Sequence, residues 1–198
     1  DTLWGGEWDD TLLGGEGNDA LFGGTGHDSL DGDDGDDWLN GGEGDDTILS
    51  GLGDDTILAG HGDDVVNAVF DGSKVLDGGD GNDQLETGSG DDTILGGDGN
   101  DLIISLGGRD VFDGGAGNDI LHGDANDTYT GGTGEDIFVI EQKVGEGIDY
   151  DGVGTVTDFE PGVDRLDIAI PYLEGTTPPV VTLEPDPETG DLNVLIDG

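Results

Sequence analysis

The sequence predicts an all-β chain wound into a solenoid of stacked short strands and closed by a β-rich terminal segment. Three observations predict it. A nine-residue pattern, G-G-x-G-x-D-x-U-x with U a large apolar residue, recurs in phase from the first residue to about Val139. Gly supplies 43 of the 198 residues, against roughly 7% in ordinary domains, so tight turns must recur throughout. Each unit offers one large apolar side chain that it cannot bury alone, so the units must stack.

Seven units, beginning at Gly14, Gly23, Gly41, Gly78, Gly96, Gly114 and Gly131, fit the pattern at every specified position. Five more, beginning at Gly5, Gly32, Ser50, Ala59 and Thr87, miss one specified glycine each. The unit at Ser105 is weaker, with Leu106 in place of the second glycine and Arg109 just before Asp110. Ala68 to Asp77 is one residue too long and has Lys74 where Asp is due, whereas Gly123 to Thr130 is one residue too short. Asp1 to Trp4 reads as the tail of a unit, and with no initiator Met the sequence reads as a fragment.

Glycine at the first, second and fourth positions lets the backbone turn through positive φ without a Cβ clash. The three residues x-U-x then run extended, with U on one face and its neighbours on the other. Leu12, Leu21, Leu30, Leu39, Ile48, Ile57, Val66, Leu85, Ile94, Ile103, Phe112, Leu121 and Phe138 fall at U and predict one narrow apolar column. Trp4, Leu13, Phe22, Leu49, Leu58, Leu95 and Ile104 occupy the ninth position and should point away from it. They are ordinary strand-formers or a contact face for another domain or chain.

Charge dominates the remaining chemistry. Four Lys and Arg against 49 Asp and Glu give a formal net charge of −45, which excludes nucleic acid and acidic membranes as direct partners. So charged and glycine-rich a chain belongs with disordered ones unless something neutralises it. No Cys is present to form disulfides or a thiolate metal site, so a staple must bind through oxygen. No apolar run approaches the roughly 18 residues of a membrane-spanning helix.

The acids are in phase with the repeat. Asp10, Asp19, Asp28, Asp37, Asp46, Asp55, Asp64, Asp83, Asp92, Asp101, Asp110, Asp119 and Asp136 fall at the sixth position, and Asp127 joins them if one loop residue is deleted. Strands stacked about 4.8 Å apart bring such carboxylates close together, where like charges oppose ionisation unless a cation intervenes. Carboxylates and inward-turned carbonyls offer only hard oxygen, which suits the six to eight ligands of calcium at about 2.3 to 2.6 Å. Magnesium demands stricter octahedra, and zinc and copper want His or Cys. His27, His61 and His122 are spaced 34 and 61 residues apart, out of phase with the repeat, and read as surface loop residues.

These units resemble the RTX, or hemolysin-type calcium-binding, nonapeptide repeats of secreted bacterial proteins. The resemblance implies a right-handed parallel β-roll with two nonapeptides per turn, each calcium lying between loops two units apart. It pairs Asp10 with Asp28, Asp19 with Asp37, Asp28 with Asp46, Asp37 with Asp55 and Asp46 with Asp64. Past the interruption at 68–77 it pairs Asp83 with Asp101, Asp92 with Asp110, Asp101 with Asp119, Asp110 with Asp127 and Asp119 with Asp136. About ten calcium ions follow, offsetting more than half of the net −33 of residues 1–139, which hold 35 acids and two bases. Lys74 implies a vacant calcium site and a kink or jog between two ladders.

The organisation expected is a roll over 1–139 and a C-terminal β-rich cap over 140–198. Val153 to Ile170 looks like the D-F-x-x-G-x-D-R-L-D segment that often follows such repeats, with a strand at Leu166, Ile168 and Ile170. Val180 to Leu183 and Leu192 to Ile196 read as a hairpin around Pro185 to Gly190, and Arg165 as a structural ion-pair partner. A roll ends in an open edge that needs covering.

No G-x-S-x-G, H-E-x-x-H, Walker lysine or G-x-G-x-x-G is present, so the chain does not read as an enzyme. The resemblance implies a secreted module that folds on extracellular calcium, with affinities near about 10⁻⁴ to 10⁻³ M per site, and supports folding and type I export of a larger protein. Its partners would be calcium and upstream domains of its parent, which could carry an enzyme. The alternative is a surface-layer or adhesin-like element that assembles with itself or other surface proteins.

Overall fold

The structure, a computed structural model, describes residues 1–141, 153–169, 180–185 and 191–197. No helix occurs among them. Eight strands, β1 (Thr2–Glu7), β3 (Ala20–Thr25), β5 (Trp38–Glu43), β7 (Thr56–His61), β9 (Val75–Asp80), β11 (Thr93–Asp98), β13 (Val111–Ala116) and β15 (Thr128–Thr133), stack in parallel as one sheet. The intervening β2 (Thr11–Leu13), β4 (Ser29–Asp31), β6 (Thr47–Leu49), β8 (Val65–Ala68), β10 (Gln84–Ser89), β12 (Leu102–Gly107), β14 (Ile120–Asp124) and β16 (Ile137–Glu141) stack as the other. Register is set by the sequence period: Leu21 lies beside Leu39, and Leu12 beside Leu30. Two nonapeptides therefore make one turn of a parallel β-solenoid, and β1 to β16 make eight turns.

The apolar column forms where the alternation places it. Leu21, Leu39, Ile48, Ile57, Ile94, Ile103, Phe112, Leu121 and Phe138 are fully buried between the two sheets. Leu76 and Tyr129 fill the same position in the two irregular units. Toward the C-terminal end the column becomes aromatic, with Phe112 stacked on Tyr129 at 4.9 Å and Tyr129 meeting Phe138 edge-on. Ninth-position side chains point outward, and Trp4, Leu13, Leu49 and Leu95 are exposed. Trp4 stacks on Phe22 one turn away, with ring centroids 4.1 Å apart.

Both irregular units are absorbed in loops. Ile57 pairs with Leu76 and Val66 with Leu85, so the extra residue of the long unit lies between β8 and β9 and the stack continues on both sheets. The jog expected at Lys74 does not occur, because a surface loop accommodates one residue at less cost than a broken ladder on two sheets. The short unit loses its residue between β14 and β15, leaving Phe112 paired with Tyr129.

The glycines have two different reasons. At most second and fourth positions φ is positive, as at Gly42 (+116°) and Gly44 (+119°), and a Cβ at these two would lie 2.1 Å and 2.0 Å from carbonyl oxygens of the preceding turn. The first position has no positive φ, contrary to the expectation from sequence. It faces inward, and Ser50, Ala59, Thr87 and Ser105 are accommodated there, all buried. Of the residues that replace glycine at the other two positions, Trp8 and Asp33 themselves take positive φ, whereas Leu106 does not.

Beyond the glycine period the coil goes on. β17 (Val153–Val156) pairs in parallel with β15, and β18 (Arg165–Ala169) with β16. Only then does β20 (Leu192–Asp197) pair antiparallel with β17, and β19 (Val180–Pro185) antiparallel with β20, as the hairpin reading expects. Ile170 and the Asp186–Gly190 turn lie outside the described residues. Asp158 fastens this end to the roll by accepting the amides of Gly131 and Gly132 at 2.9 and 2.7 Å.

Candidate metal centre

The fourteen aspartates singled out from sequence line the two edges where strands of one sheet turn into the other. The first edge, joining each odd-numbered strand to the next even one, carries Asp10, Asp28, Asp46, Asp64, Asp83, Asp101, Asp119 and Asp136. The second carries Asp19, Asp37, Asp55, Asp92, Asp110 and Asp127, with Lys74 between Asp55 and Asp92. Asp10, in the first turn, is half-buried and the others are buried.

The first edge is a continuous ladder, and so is the second except at Asp55, whose neighbour one turn on is Lys74. The amide of one sixth-position residue donates to Oδ1 of the aspartate one turn on, as from Asp28 to Asp46 and Asp37 to Asp55, at 2.7 and 3.0 Å. Lys74 keeps its place by donating its amide to Asp92 at 2.7 Å. Asp64 donates to Asp83 at 2.8 Å, a pairing across the interruption that a fixed separation of eighteen residues leaves out. Pinning Oδ1 in this way aims Oδ2 into the loop.

Those second oxygens are the chemistry of the site. Oδ2 of Asp10, Asp19, Asp28, Asp37, Asp46, Asp64, Asp83, Asp92, Asp101 and Asp119 is buried with no hydrogen-bond partner. An unpaired buried carboxylate oxygen is costly, and ten in register identify positions that require a cation or a proton. Three of the remaining four have donors of their own. Oδ2 of Asp110 accepts the Ser105 hydroxyl, that of Asp127 accepts the Asp124 amide at 2.6 Å, and that of Asp55 meets the Lys74 ammonium at 2.7 Å.

Lys74 shows what surrounds such an oxygen. Its Nζ lies 3.1 Å from the Gly51 carbonyl and 2.6 Å from that of Gly53, besides Asp55 Oδ2. A cation in this loop is thus held by the carbonyls of the second and fourth positions and the carboxylate of the sixth. Among the described residues no three carboxylate or imidazole side chains converge on one point, so carbonyls must supply much of any coordination shell. Hard oxygen throughout, from carbonyl and carboxylate together, fits calcium.

Electrostatics agree with the geometry. Burial pushes the Asp46, Asp83 and Asp119 carboxyls up to about 6 and those of Asp64 and Asp127 up to about 7, with neighbouring ladder carboxylates adding to the effect. Burial likewise raises Asp37, Asp92, Asp101, Asp110 and Asp136, while ladder amides oppose the shift. Without a counter-cation the inner carboxylates resist ionisation.

Sequence reasoning missed two sets of residues. At the fifth position each edge carries a second, outer ladder that runs the opposite way, the later turn's amide donating to the earlier turn's side chain. Asp54 donates to Asp36, Asp63 to Asp45 and Asn100 to Asn82 at 2.9 to 3.0 Å. His27 belongs to it, its Nδ1 accepting the Asp45 amide at 2.8 Å, and the Asn82 amides hold the exposed Asp63 carboxyl below its ordinary range. The signal was present, since Asp, Asn and His share an acceptor that a pattern with x at this place discards. The second miss is Asp164. Its Oδ1 accepts the Asp136 amide at 3.2 Å and its Oδ2 that of Glu160 at 2.7 Å, which makes it the next rung of the first edge. Arg165 ion-pairs with Asp167, as expected, its Nε donating to Oδ1 at 2.9 Å.

No curated protein matches the chain significantly. The profile of the RTX calcium-binding nonapeptide repeat matches residues 1–30, 31–66, 77–112, 95–127 and 106–138. Paired aspartate ladders, orphaned inner oxygens and a two-unit turn are what that repeat requires, and the chain belongs to the RTX calcium-binding nonapeptide-repeat family.

Proposed function

We propose that this calcium-binding β-roll is a folding switch of a secreted protein, extended without calcium and wound by it outside the cell. Ten buried aspartate oxygens that meet no donor carry the reading. Calcium would supply the positive charge between them and the free energy of winding. The chain's own residues do the rest: ladder amides fix each carboxylate, second- and fourth-position glycines turn carbonyls inward, and the apolar column forms once repulsion is relieved. Sites near about 10⁻⁴ to 10⁻³ M would stay empty in the cytosol and fill outside, so the module would pass an export channel unfolded and then fold with its parent. About ten ions and no catalytic step for this chain belong to the same reading. Far-UV circular dichroism during a calcium titration tests it. Strand signal should appear between micromolar and millimolar calcium and vanish in EGTA; equal strand content in both would overturn it.

The second reading, assembly on a cell surface, is favoured by the outward Trp4, Leu13, Leu49 and Leu95. Light scattering in millimolar calcium separates the two: ordered polymers support assembly, and a monodisperse monomer supports the folding module.

A further inference from the structure

The two edges are alike in sequence pattern and unlike in what they need. On the first edge Oδ2 of Asp10, Asp28, Asp46, Asp64, Asp83, Asp101 and Asp119 is orphaned, with no break from the first turn to the seventh. On the second edge the orphans are interrupted between Asp37 and Asp92, because Asp55 faces Lys74. Lys74 is buried to 1% exposure, in a chain with four basic residues and 49 acids. A buried lysine persists only where its charge and donors are matched. An ammonium has three N–H donors, and here it finds three acceptors, the Gly51 and Gly53 carbonyls and Asp55 Oδ2, at 3.1, 2.6 and 2.7 Å.

We propose that Lys74 is a tethered replacement for a calcium ion: its ammonium permanently occupies the cation position of the 50–55 loop and braces the third turn to the fourth without metal. This rests on the calcium reading of the other loops and adds a level that neither takes up calcium nor loses it. Three features fit the substitution to the place. The lysine sits at the sixth position of its own unit, so its amide holds Asp92 like any rung while its four-carbon stem reaches back to the previous loop. Its ammonium touches the second- and fourth-position carbonyls and the sixth-position carboxylate, which are the oxygens a calcium would claim. Being covalently attached, it competes at an effective concentration in the millimolar range, comparable to the dissociation constants of about 10⁻⁴ to 10⁻³ M expected of such loops, and chelators do not remove it. One positive charge in place of two leaves this level more acidic than a calcium-filled one.

Two measurements test it. The first is acylation of the wild-type chain by a water-soluble amine reagent, mapped by mass spectrometry in millimolar calcium, with the urea-unfolded chain as reference. Occupancy by the ammonium makes Lys74 react about tenfold or more slowly than in urea; displacement by calcium frees the amine, and a rate near the urea value overturns the proposal. The second is native mass spectrometry of calcium-saturated Lys74→Asp, which should hold at least one more ion than wild type; an unchanged count overturns the proposal. If that variant fails to fold, the acylation result decides alone. A wild-type chain that is equally folded with and without calcium, yet protects Lys74, refutes the folding reading and leaves the lysine assignment standing.

Discussion

At the residue scale, neighbouring aspartates in one loop have opposite roles. Asp63 is exposed and already holds the Asn82 backbone and side-chain amides at 2.8 and 2.9 Å, while Asp64 is buried with an orphaned oxygen. Asp63→Asn should leave calcium stoichiometry unchanged and stability within about 0.5 kcal/mol, since Asn82 and Asn100 serve in the same ladder. Asp64→Asn should lose at least one calcium and raise the concentration needed for folding; calorimetric titration of the two variants side by side makes the comparison. Equal effects would mean that the ladders do not divide the work in this way. The inner aspartates were legible in sequence because one residue type recurs at a fixed phase. The outer ones were not, because Asp, Asn and His are chemically equivalent only as acceptors of one amide.

At the element scale, the strand is short and its corner does the positioning. Gly44 holds φ at +119° beneath the Gly26 carbonyl, and Gly44→Ala should lower stability in saturating calcium by about 1 to 3 kcal/mol, read as a drop in melting temperature. Leu39→Ala, which leaves a void in the column, should cost about 2 to 5 kcal/mol. The repeating strands were legible because glycine corner, apolar residue and carboxylate all lie within nine residues. The next rung was not, since only Gly162, Asp164 and Leu166 keep the phase there, with Leu166 beside Phe138 and Asp164 under Asp136. Asp164→Ala should speed amide exchange at Asp136 and Glu160 and spare the first turns; uniform exchange along the roll would show that this rung does not hold the end.

For the whole molecule, the raised carboxyl pKa values set a pH dependence whose sign depends on metal. A carboxyl pushed up on folding binds its proton more tightly in the folded state, so its contribution is full below the unfolded value of about 4 and is lost as pH climbs through about 6 to 7. In EGTA the chain should therefore gain strand signal on going from about pH 7.5 to about pH 4.5, as protons replace calcium. In millimolar calcium the same acidification should release ions instead. Circular dichroism at the two pH values, with and without metal, gives four states to compare, and a metal-free chain indifferent to pH would contradict the role given to the inner carboxylates. Among the described residues inner amides reach forward and outer amides reach back by one turn, so each rung is tied to its neighbours. The molecule is accordingly a ruler without a fixed length: excising or duplicating eighteen residues in phase should return a shorter or longer rod with the same cross-section, so that its reach can change while its chemistry stays constant.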